Sequence, residues 1–308
     1  MLLGTLVVLF NPSEAHVQHL FRHRRLCDNV VAVDNSPQLD VLLQDRIRAE
    51  GIDLLSNFNV GSVAGAYNIG IERLIKKKCE LLFLFDQDSE APEDYFLNMS
   101  DSCLTLGSRH FLIGPKVFYI NVKRYLPVHI LNGFRVSAVQ ITDRNDGLLP
   151  CSSIITSGSV LSAETYRTLG PFRADYFIDH VDTEYSFRAA SKGVPVYVNT
   201  SLALKHEVGR RIDHKLLSLK IIQWNTSPLR QYYSARNCIH VSRLYGTQFP
   251  ILALINVITI QQLLSVILYE TDKRKKIMAM AAGIIDGFRG RYGSFDACQP
   301  RRSALCEL

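Results

Sequence analysis

The strand predicted over Leu81–Phe85 constrains the fold of this chain more than any other segment. All of its positions are apolar, which is typical of a strand whose two faces are both covered. Strand and helix patterns alternate in front of it, with strands over Leu6–Phe10, Asn29–Val33 and Ile52–Leu55 and helices over Glu14–Arg25, Gln38–Ala49 and Ala64–Lys77. Repeated βα units of this size predict an α/β, Rossmann-like fold with a mostly parallel central sheet and helices on both faces.

The remainder of the chain is patterned less regularly. Further elements are predicted as strands over Ile113–Ile120, Ser152–Leu161 and Val194–Val198, a helix over Asp182–Ser191, and a loop or hairpin over residues 121–150. From about residue 213 we expect basic, amphipathic helices. The sequence therefore predicts two parts, residues 1–210 and a helical C-terminal region over residues 211–308.

Composition and cysteine usage place the chain among reduced globular proteins. Hydrophobic residues make up 47% and charged residues 21% of the sequence, which argues against disorder. The seven cysteines are odd in number and form no C-x-x-C pair, so they predict reduced thiols and a cytoplasmic location. The apolar segment Leu2–Phe10 lacks a basic region before it, and we interpret it as a first strand rather than a signal peptide.

The net charge of +6 is concentrated in the C-terminal third, which suggests an anionic partner. A diphosphate or a phospholipid surface fits, whereas no nucleic-acid-binding motif supports a nucleic acid. Residues 249–269 are apolar but interrupted by polar side chains, and Lys273–Lys276 follow directly. This pattern predicts a helix on an anionic membrane surface rather than a membrane span. The alternative is a buried C-terminal helix with a solvated charge run.

The triplet Asp86-Gln87-Asp88 follows the apolar strand directly. Ligands of open α/β sheets bind at the carboxyl ends of the strands. Two carboxylates repel each other there unless a cation joins them, and a hard divalent ion also binds phosphate oxygens. The triplet therefore predicts a metal and phosphate site, with an acidic turn before a helix as the alternative.

Two further segments are predicted at the same edge of the sheet. Asp34-Asn35-Ser36 ends the second strand and could contact a nucleobase and ribose, or form an Asx turn before Pro37. In the segment Asn59–Gly70, small residues would let a ligand approach the backbone or a helix pack closely on the sheet. Neither a G-x-G-x-x-G nor a P-loop motif is present, so dehydrogenase and P-loop chemistry lose support.

Downstream acids and bases supply candidates for catalysis. Asp182 lies near the start of a predicted helix, where a carboxylate stays ionised and can act as a general base. Arg230, Tyr233 and Asn237 share a helix face that suits phosphate binding, although a solvated basic face is equally consistent. No zinc motif and no G-x-S-x-G is found, so a zinc site or a serine hydrolase is disfavoured.

In this order and spacing, the motifs over about residues 5–210 resemble the family-2 inverting glycosyltransferases of GT-A fold. The similarity is closer to their bacterial L-rhamnosyltransferase branch, which includes di-rhamnolipid-forming and O-antigen rhamnosyltransferases. The residues that carry this closer similarity are Phe85–Ser89, Phe177–Tyr185, Arg230–Asn237 and Asp286–Arg291. With these segments the resemblance covers nearly the whole chain.

The resemblance implies dTDP-L-rhamnose as donor, a divalent metal (Mg or Mn), and a lipid-linked saccharide or rhamnolipid as acceptor, at the cytoplasmic face of the bacterial inner membrane. It implies that Asp182 is the base, with Asp179 as the alternative, and that Asp88 holds the metal. Implied donor contacts are Asp34, Asn35, Asn59, Gly61, Ala64, Asn68, Asp86, His206, Arg230 and Arg236. Implied acceptor-side residues are Ser157, Gly158, His180 and Tyr233.

Three other functions are weighed against rhamnosyl transfer. A family-2 transferase could use another UDP-, GDP- or dTDP-sugar, since only the resemblance indicates rhamnose. An inactive sugar-nucleotide-binding scaffold is disfavoured because Asp86, Asp88 and Asp182 are all present. A sugar-nucleotide pyrophosphorylase would need a Gly-rich, basic loop after the first strand, where Asn11-Pro12-Ser13 stands instead.

Overall fold

The computed structural model describes residues 1–120, 122–132, 135–206, 212–216, 219–248 and 251–298. The chain forms two compact units. Unit 1 comprises Met1–Ile130, Ser137–Ala174 and Asp182–Glu207, and unit 2 comprises Leu131–Val136, Asp175–Val181 and Val208–Leu308. Unit 2 thus takes in two short segments that precede residue 210, while the functional division at residue 210 stays a prediction.

The strands and helices follow in chain order. The strands are β1 (Leu3–Leu9), β2 (Val30–Asp34), β3 (Asp53–Ser56), β4 (Leu81–Asp86), β5 (Leu112–Tyr119), β6 (Arg124–Tyr125), β7 (Val128–Asn132), β8 (Arg135–Val139), β9 (Leu148–Pro150), β10 (Ser159–Ser162), β11 (Val196–His206), β12 (Ile212–Leu216) and β13 (Leu219–Gln223). The helices are α1 (Glu14–Leu26), α2 (Val41–Ala49), α3 (Ser62–Lys76), α4 (Tyr95–Thr105), α5 (Ala163–Leu169), α6 (Val181–Ser191), α7 (Pro228–Tyr245), α8 (Ile251–Tyr269), α9 (Lys273–Arg289) and α10 (Phe295–Cys298). A 3-10 turn covers Ala174–Tyr176.

A nine-stranded sheet forms the centre of unit 1, in the order β3-β2-β1-β4-β10-β5-β11-β9 with β6 paired to β5. The pairs among β1 to β4 and the pair β5–β11 are parallel, which confirms the predicted mostly parallel α/β fold. Strand β10 runs antiparallel between β4 and β5. Because the chain reaches β10 from the carboxyl edge of the sheet, the residues just before it lie beside the end of β4.

Strand β4 is as buried as its sequence predicts. Its five apolar positions are at most 1% exposed. Aromatic side chains of α4 cover one face, where the Phe96 ring lies 4.9 Å from Phe83 and the Tyr95 ring 5.8 Å from Phe85. Burying such rings contributes about 1.5–3 kcal/mol each. The strand that ends at Asp86 is therefore anchored in the core.

The structure differs from the sequence prediction between residues 152 and 161. We predict a strand over Ser152–Leu161, but the strand here begins only at Ser159. Gly158 has a φ of +75°, a conformation that interrupts an extended strand and favours glycine. Residues 121–150 contain the short strands β6 to β9 with β7 paired to β8, which agrees with the predicted loop or hairpin.

Unit 2 contains helices α7 to α10 and the hairpin β12–β13. The prediction of helix from residue 213 is wrong over the described residues 213–216 and 219–223, where Ile212 pairs with Gln223 and Leu216 with Leu219 in an antiparallel ladder. Apolar and polar residues alternate in the sequence only over residues 217–221, a short period-2 pattern that favours strands. From Pro228 onward the described part of the chain is helical. None of its helices combines the length and apolar character needed to cross a bilayer.

Helices α7 and α9 pack closely through glycines. A Cβ on Gly283 would lie 2.3 Å from the carbonyl oxygen of Tyr232, and one on Gly287 would lie 2.8 Å from that of Arg236. Both contacts are with backbone atoms, which cannot move aside cheaply. Glycine is therefore required at these two positions for the two helices to approach each other.

Candidate active site

The Asp86-Gln87-Asp88 triplet is held in place from two neighbouring segments. The Tyr67 hydroxyl donates to Asp86 Oδ1 at 2.7 Å, and the Asp86 backbone N–H donates to Ser157 Oγ at 3.0 Å. The side chain of Gln87 pairs with the backbone of Phe10, accepting from its N–H at 2.8 Å and donating to its carbonyl at 3.1 Å. Gln87 therefore joins the ends of β1 and β4 and leaves ligand chemistry to the two carboxylates.

Ser157 and Gly158 support the triplet. The hydroxyls of Ser157 and Ser89 lie 2.6 Å apart, and both side chains are buried. A Cβ on Gly158 would lie 2.9 Å from the Tyr95 hydroxyl, which donates to the Gly158 carbonyl. These contacts of Ser157 and Gly158 hold the end of β4, and the implied acceptor-side role of both residues stays a prediction.

Three carboxylates gather around the Tyr67 hydroxyl. Burial raises the pKa of Tyr67 well above its ordinary value, and the charge and hydrogen bond of Asp86 raise it further. The charges of Asp182 and Asp88 also raise this pKa, so both carboxylates lie within electrostatic range of the same hydroxyl. The structure thus brings together Asp86, Asp88 and Asp182, although more than ninety residues separate Asp182 from the triplet.

Asp182 occupies the first turn of α6. Its Oδ1 accepts the backbone N–H of Thr183 at 2.7 Å, and the positive end of the helix dipole favours its ionised form. A buried ion pair between Arg188 and Glu184 stabilises the helix, and Arg188 also donates to the Pro171 carbonyl at 2.7 Å. Asp182 therefore lies on a rigid element, as a general base requires.

Phe172 links α6 to α3. Its ring stacks on Tyr185 with centroids 3.8 Å apart and lies 5.4 Å from the Tyr67 ring. The Asn68 side chain bonds both backbone groups of Phe172, donating to the carbonyl at 2.9 Å and accepting from the N–H at 2.8 Å. The Asn68 amide is thus bonded to this backbone, and its implied donor contact stays a prediction.

An amide network shapes the ends of β2 and β3. Asn57 donates to Asn35 Oδ1 at 2.6 Å, and Asn35 donates to Asn59 Oδ1 at 3.2 Å. Asp34 is buried and accepts from Gln44 at 3.0 Å. The structure places Asp34, Asn35 and Asn59 together, as the sequence predicts, and adds Asn57, which no motif distinguishes.

The small residues at the start of α3 are used for packing. Gly61 has a φ of +65°, and a Cβ there would lie 2.7 Å from the Ala174 Cβ. Ala64 is fully buried, so its side chain cannot touch a ligand. This packing is consistent with the close-packing alternative, and the implied donor contacts of Gly61 and Ala64 stay predictions.

In unit 2, Arg230 and Asp179 form an ion pair. Arg230 Nε and Nη2 donate to Asp179 Oδ1 at 3.1 and 2.9 Å. The implied donor contact of Arg230 stays a prediction, and binding a diphosphate would require Arg230 to exchange this partner. Proton transfer to Asp179 would likewise disturb the ion pair. This geometry disfavours Asp179 as the base.

Arg236 and Tyr233 are buried structural residues. Arg236 is fully buried, and its guanidinium donates to the carbonyl oxygens of Gly293 at 2.7 Å and Asp175 at 2.9 Å. Tyr233 stacks on Phe177 with centroids 5.0 Å apart. Neither side chain is accessible in this structure, and the implied donor contact of Arg236 and acceptor contact of Tyr233 stay predictions.

His180 and His206 are the remaining predicted site residues. Burial lowers the pKa of His180 although the charge of Asp179 raises it, so the imidazole is neutral at pH 7 and its acceptor-side role stays a prediction. Strand β11 ends at His206. The side chain of His206 and residues 207–211 lie outside the described residues.

The carboxylate oxygens of the triplet suit a hard divalent cation that also binds the phosphates of a substrate. Among the described residues, no group of three or more His, Cys, Asp or Glu side chains could hold a metal alone. Mg²⁺ and similar ions need only one or two carboxylates when waters and substrate phosphates complete the shell. The carboxylates of Asp86 and Asp88 meet that requirement.

The chain is similar to known proteins in its sequence and in its fold. No protein-family model matches the chain. Over 299 residues it is 28% identical to the dTDP-rhamnosyl transferase RfbF of Shigella flexneri, covering 93% of this chain and 95% of that protein. The chain is a GT-A glycosyltransferase. The same match bears out the predicted similarity of this glycosyltransferase to the rhamnosyltransferases, while its membership of family 2 stays a prediction.

Solved structures share the fold of this glycosyltransferase. The crystal structure of GalNAc-T7 with UDP, GalNAc and Mn2+ superposes with a TM-score of 0.59 at 10% identity, covering 99% of this chain and 57% of that one. The crystal structure of S. aureus TarS 1-349 superposes with a TM-score of 0.54 at 13% identity, covering 93% and 81%. At these identities the likeness concerns the fold alone.

Proposed function

We propose that this glycosyltransferase moves L-rhamnose from dTDP-L-rhamnose to a sugar hydroxyl of a lipid-linked acceptor, in one displacement with inversion. The observation that carries the mechanism is the convergence of Asp86, Asp88 and Asp182 around the Tyr67 hydroxyl. Similarity to RfbF over nearly the whole chain supports the donor. The acceptor would be an O-antigen precursor or a rhamnolipid.

The triplet would bind the leaving group. Asp86, oriented by Tyr67, would contact the ribose, while Asp34, Asn35 and Asn59 would contact the nucleotide. Asp88 would hold a Mg or Mn ion, which when bound neutralises the charge that builds on the departing diphosphate. His206 would add a contact to the diphosphate. The exposed position of Asp88 at the end of β4 supports this division of tasks.

Asp182 would activate the acceptor. Its carboxylate removes the proton from the acceptor hydroxyl as that oxygen bonds to the anomeric carbon. The bond from the anomeric carbon to the phosphate oxygen breaks in the same step, and its electron pair leaves with dTDP. Because one displacement occurs, the configuration at the anomeric carbon inverts.

A donor panel tests the proposed substrate. We expect transfer from dTDP-L-rhamnose to exceed transfer from dTDP-glucose, UDP-glucose and UDP-GlcNAc by about tenfold or more in kcat/KM, which corresponds to about 1.4 kcal/mol. The measurement is release of free nucleoside diphosphate in the presence of Mg²⁺ and a membrane lipid extract as acceptor. A preference for a UDP-hexose would refute rhamnose, and tight binding without any transfer would favour the scaffold alternative.

We also propose that unit 2 docks on an anionic membrane surface through the α8–α9 face. This face carries exposed apolar side chains, namely Ile260, Leu264, Ile267, Leu268, Ile277, Met278, Ile285 and Phe288. The exposed cations Lys273 and Arg274 lie at the start of α9. Exposed apolar and basic residues together suit a lipid surface better than water or a neutral partner. Such docking would place the enzyme at the cytoplasmic face of the inner membrane.

Vesicle co-sedimentation tests this face. We expect binding to vesicles containing anionic phosphatidylglycerol and weak binding to neutral phosphatidylcholine. The pair Lys273→Gln with Arg274→Gln should reduce binding about tenfold or more, since about 1 kcal/mol is lost per basic residue. Phe288→Ser should reduce binding about threefold or more, since a large apolar side chain no longer enters the lipid surface. Leu97→Ser, an exposed apolar residue of α4, is the matched control. Equal binding to both vesicle types would contradict the proposal.

A further inference from the structure

The segment from residue 175 to residue 180, which we name the 175–180 turn, has an unusual backbone. Phe177, Asp179 and His180 have φ values of +67°, +61° and +60°. Only glycine adopts this left-handed region without cost, and a bulky residue such as phenylalanine does so rarely. Such conformations persist only where surrounding contacts enforce them, and they cluster at functional sites. The contacts that enforce this turn are therefore informative.

One helix, α7, supplies these contacts. The Asn237 amide nitrogen lies 3.0, 2.8 and 3.0 Å from the carbonyl oxygens of Tyr176, Ile178 and Asp179. Arg236 Nη2 donates to the carbonyls of Asp175 at 2.9 Å and Tyr176 at 3.0 Å. Its Nε donates to the Asn237 side-chain oxygen at 3.0 Å, which fixes the orientation of that amide.

Arg230 completes the set from an earlier turn of α7 through its ion pair with the Asp179 carboxylate. The three residues Arg230, Arg236 and Asn237, which we name the α7 clamp, thus hold the turn through five backbone contacts and one side chain. Arg236 and Asn237 are fully buried. A buried network this complete rigidifies the segment that it bonds.

The clamp is itself supported by α9. The Tyr232 hydroxyl donates to Asp286 Oδ2 at 2.8 Å, and the Arg236 guanidinium lies 5.5 Å from the Tyr232 ring and 4.9 Å from the Tyr233 ring. Gly293 N–H donates to the Asp175 carbonyl at 2.9 Å. The motifs around residues 232 and 286 therefore serve the same turn, although they lie far apart in the sequence.

We infer that Arg230, Arg236 and Asn237 are positioning residues for the proposed base. The chain runs from the clamped turn directly into α6, which starts at Val181 and carries Asp182 in its first turn. The clamp restrains the backbone as far as the carbonyl of Asp179, three residues before Asp182. This inference rests on the proposed function and assigns Asp179 to the clamp rather than to proton transfer.

The expected signature is a loss of kcat without a loss of donor affinity. Arg230→Met and Asp179→Asn should each lower kcat about tenfold, while the Kd for dTDP-L-rhamnose stays within about twofold. The double variant should be no worse than either single variant, because both remove one ion pair. Arg230→Lys, which keeps the charge, should recover part of the lost kcat. Asn237→Ser tests the buried part of the clamp where it folds.

Arg243→Met is the matched control. Arg243 also lies on α7 and donates to the Phe288 carbonyl at 2.8 Å, but it does not contact the 175–180 turn in the described residues. It should lower the melting temperature without lowering kcat. An equal loss of kcat in this control, additive losses in the double variant, or complete inactivity of Asp179→Asn with an active Arg230→Met would each overturn the inference. Absence of rhamnosyl transfer by the unmodified enzyme would instead reject the proposed function, and the variants would then be compared on the donor that it does use.

Discussion

Replacing Asp182 by Asn should lower kcat by about 10²- to 10⁴-fold, the usual contribution of a general base. The substitution removes proton acceptance but keeps the side-chain oxygen that accepts the Thr183 N–H at 2.7 Å. Helix α6 should therefore stay folded. Since the carboxylate is proposed to act on the acceptor, the Kd for dTDP, measured by calorimetry, should change less than about twofold.

Asp179→Asn provides the comparison within the same segment. The Asp179 carboxylate accepts from Arg230 at 2.9 Å, so its loss should cost far less turnover than the loss of Asp182. The kcat values of both variants should be measured at saturating donor. Near-normal turnover in Asp182→Asn together with an inactive Asp179→Asn would transfer the role of base to Asp179.

Asp88→Asn should abolish the dependence of donor binding on Mg²⁺. One carboxylate of the proposed metal site becomes a neutral amide, which binds a hard cation more weakly. We expect kcat to fall about 10²-fold or more, because charge on the leaving diphosphate is no longer neutralised. The Kd for dTDP should then be the same with Mg²⁺ and with a chelator, whereas the unmodified enzyme should bind more tightly with Mg²⁺.

Glu93→Gln is the control for Asp88→Asn. Glu93 is an exposed acid five residues farther along the same segment, and its substitution removes the same charge from the region. Turnover and Mg²⁺ dependence should be unaffected. A Glu93 variant as impaired as the Asp88 variant would show that general electrostatics, rather than a metal ligand, account for the effect.

The βα units of unit 1 can be predicted from the sequence, because burial of both sheet faces makes their strands apolar. The first five positions of β4 are apolar because both faces of this strand are covered, and the polar triplet begins at its last residue, Asp86, where the strand meets solvent. The ends of β2 and β3 follow the same logic. The sequence predicts a strand from Ser152, whereas β10 begins at Ser159. The left-handed backbone of Gly158 interrupts the strand, and the sequence alone does not distinguish this glycine from other small residues.

The tasks of individual polar residues were harder to predict. Arginines on α7 suggest phosphate binding, yet Arg236 bonds backbone carbonyls and Arg230 bonds Asp179. The spacing of these arginines does not show that the carbonyl groups of Asp175 and Tyr176, about sixty residues earlier in the chain, lie within reach of Arg236. Tyr67 was missed for a related reason, since its hydroxyl meets Asp86 only after α3 packs on β4.

The hairpin β12–β13 illustrates competition between two patterns. Its basic residues resemble those of the helices that follow, and apolar and polar residues alternate only over residues 217–221. The strand pattern in the sequence is therefore short. The pairing of Ile212 with Gln223 shows that the hairpin nevertheless extends beyond this pattern.

The most direct test of the central claim is the stereochemistry of transfer from dTDP-L-rhamnose. The donor is labelled with ¹³C at the anomeric carbon, incubated with enzyme, Mg²⁺ and a membrane lipid extract, and the product linkage is observed by NMR. For a single displacement, we expect a rhamnosyl product whose anomeric configuration is opposite to that of the donor. A product that retains the donor configuration would require two displacements and an enzyme nucleophile, and would contradict the assignment of Asp182 as a base in a single displacement.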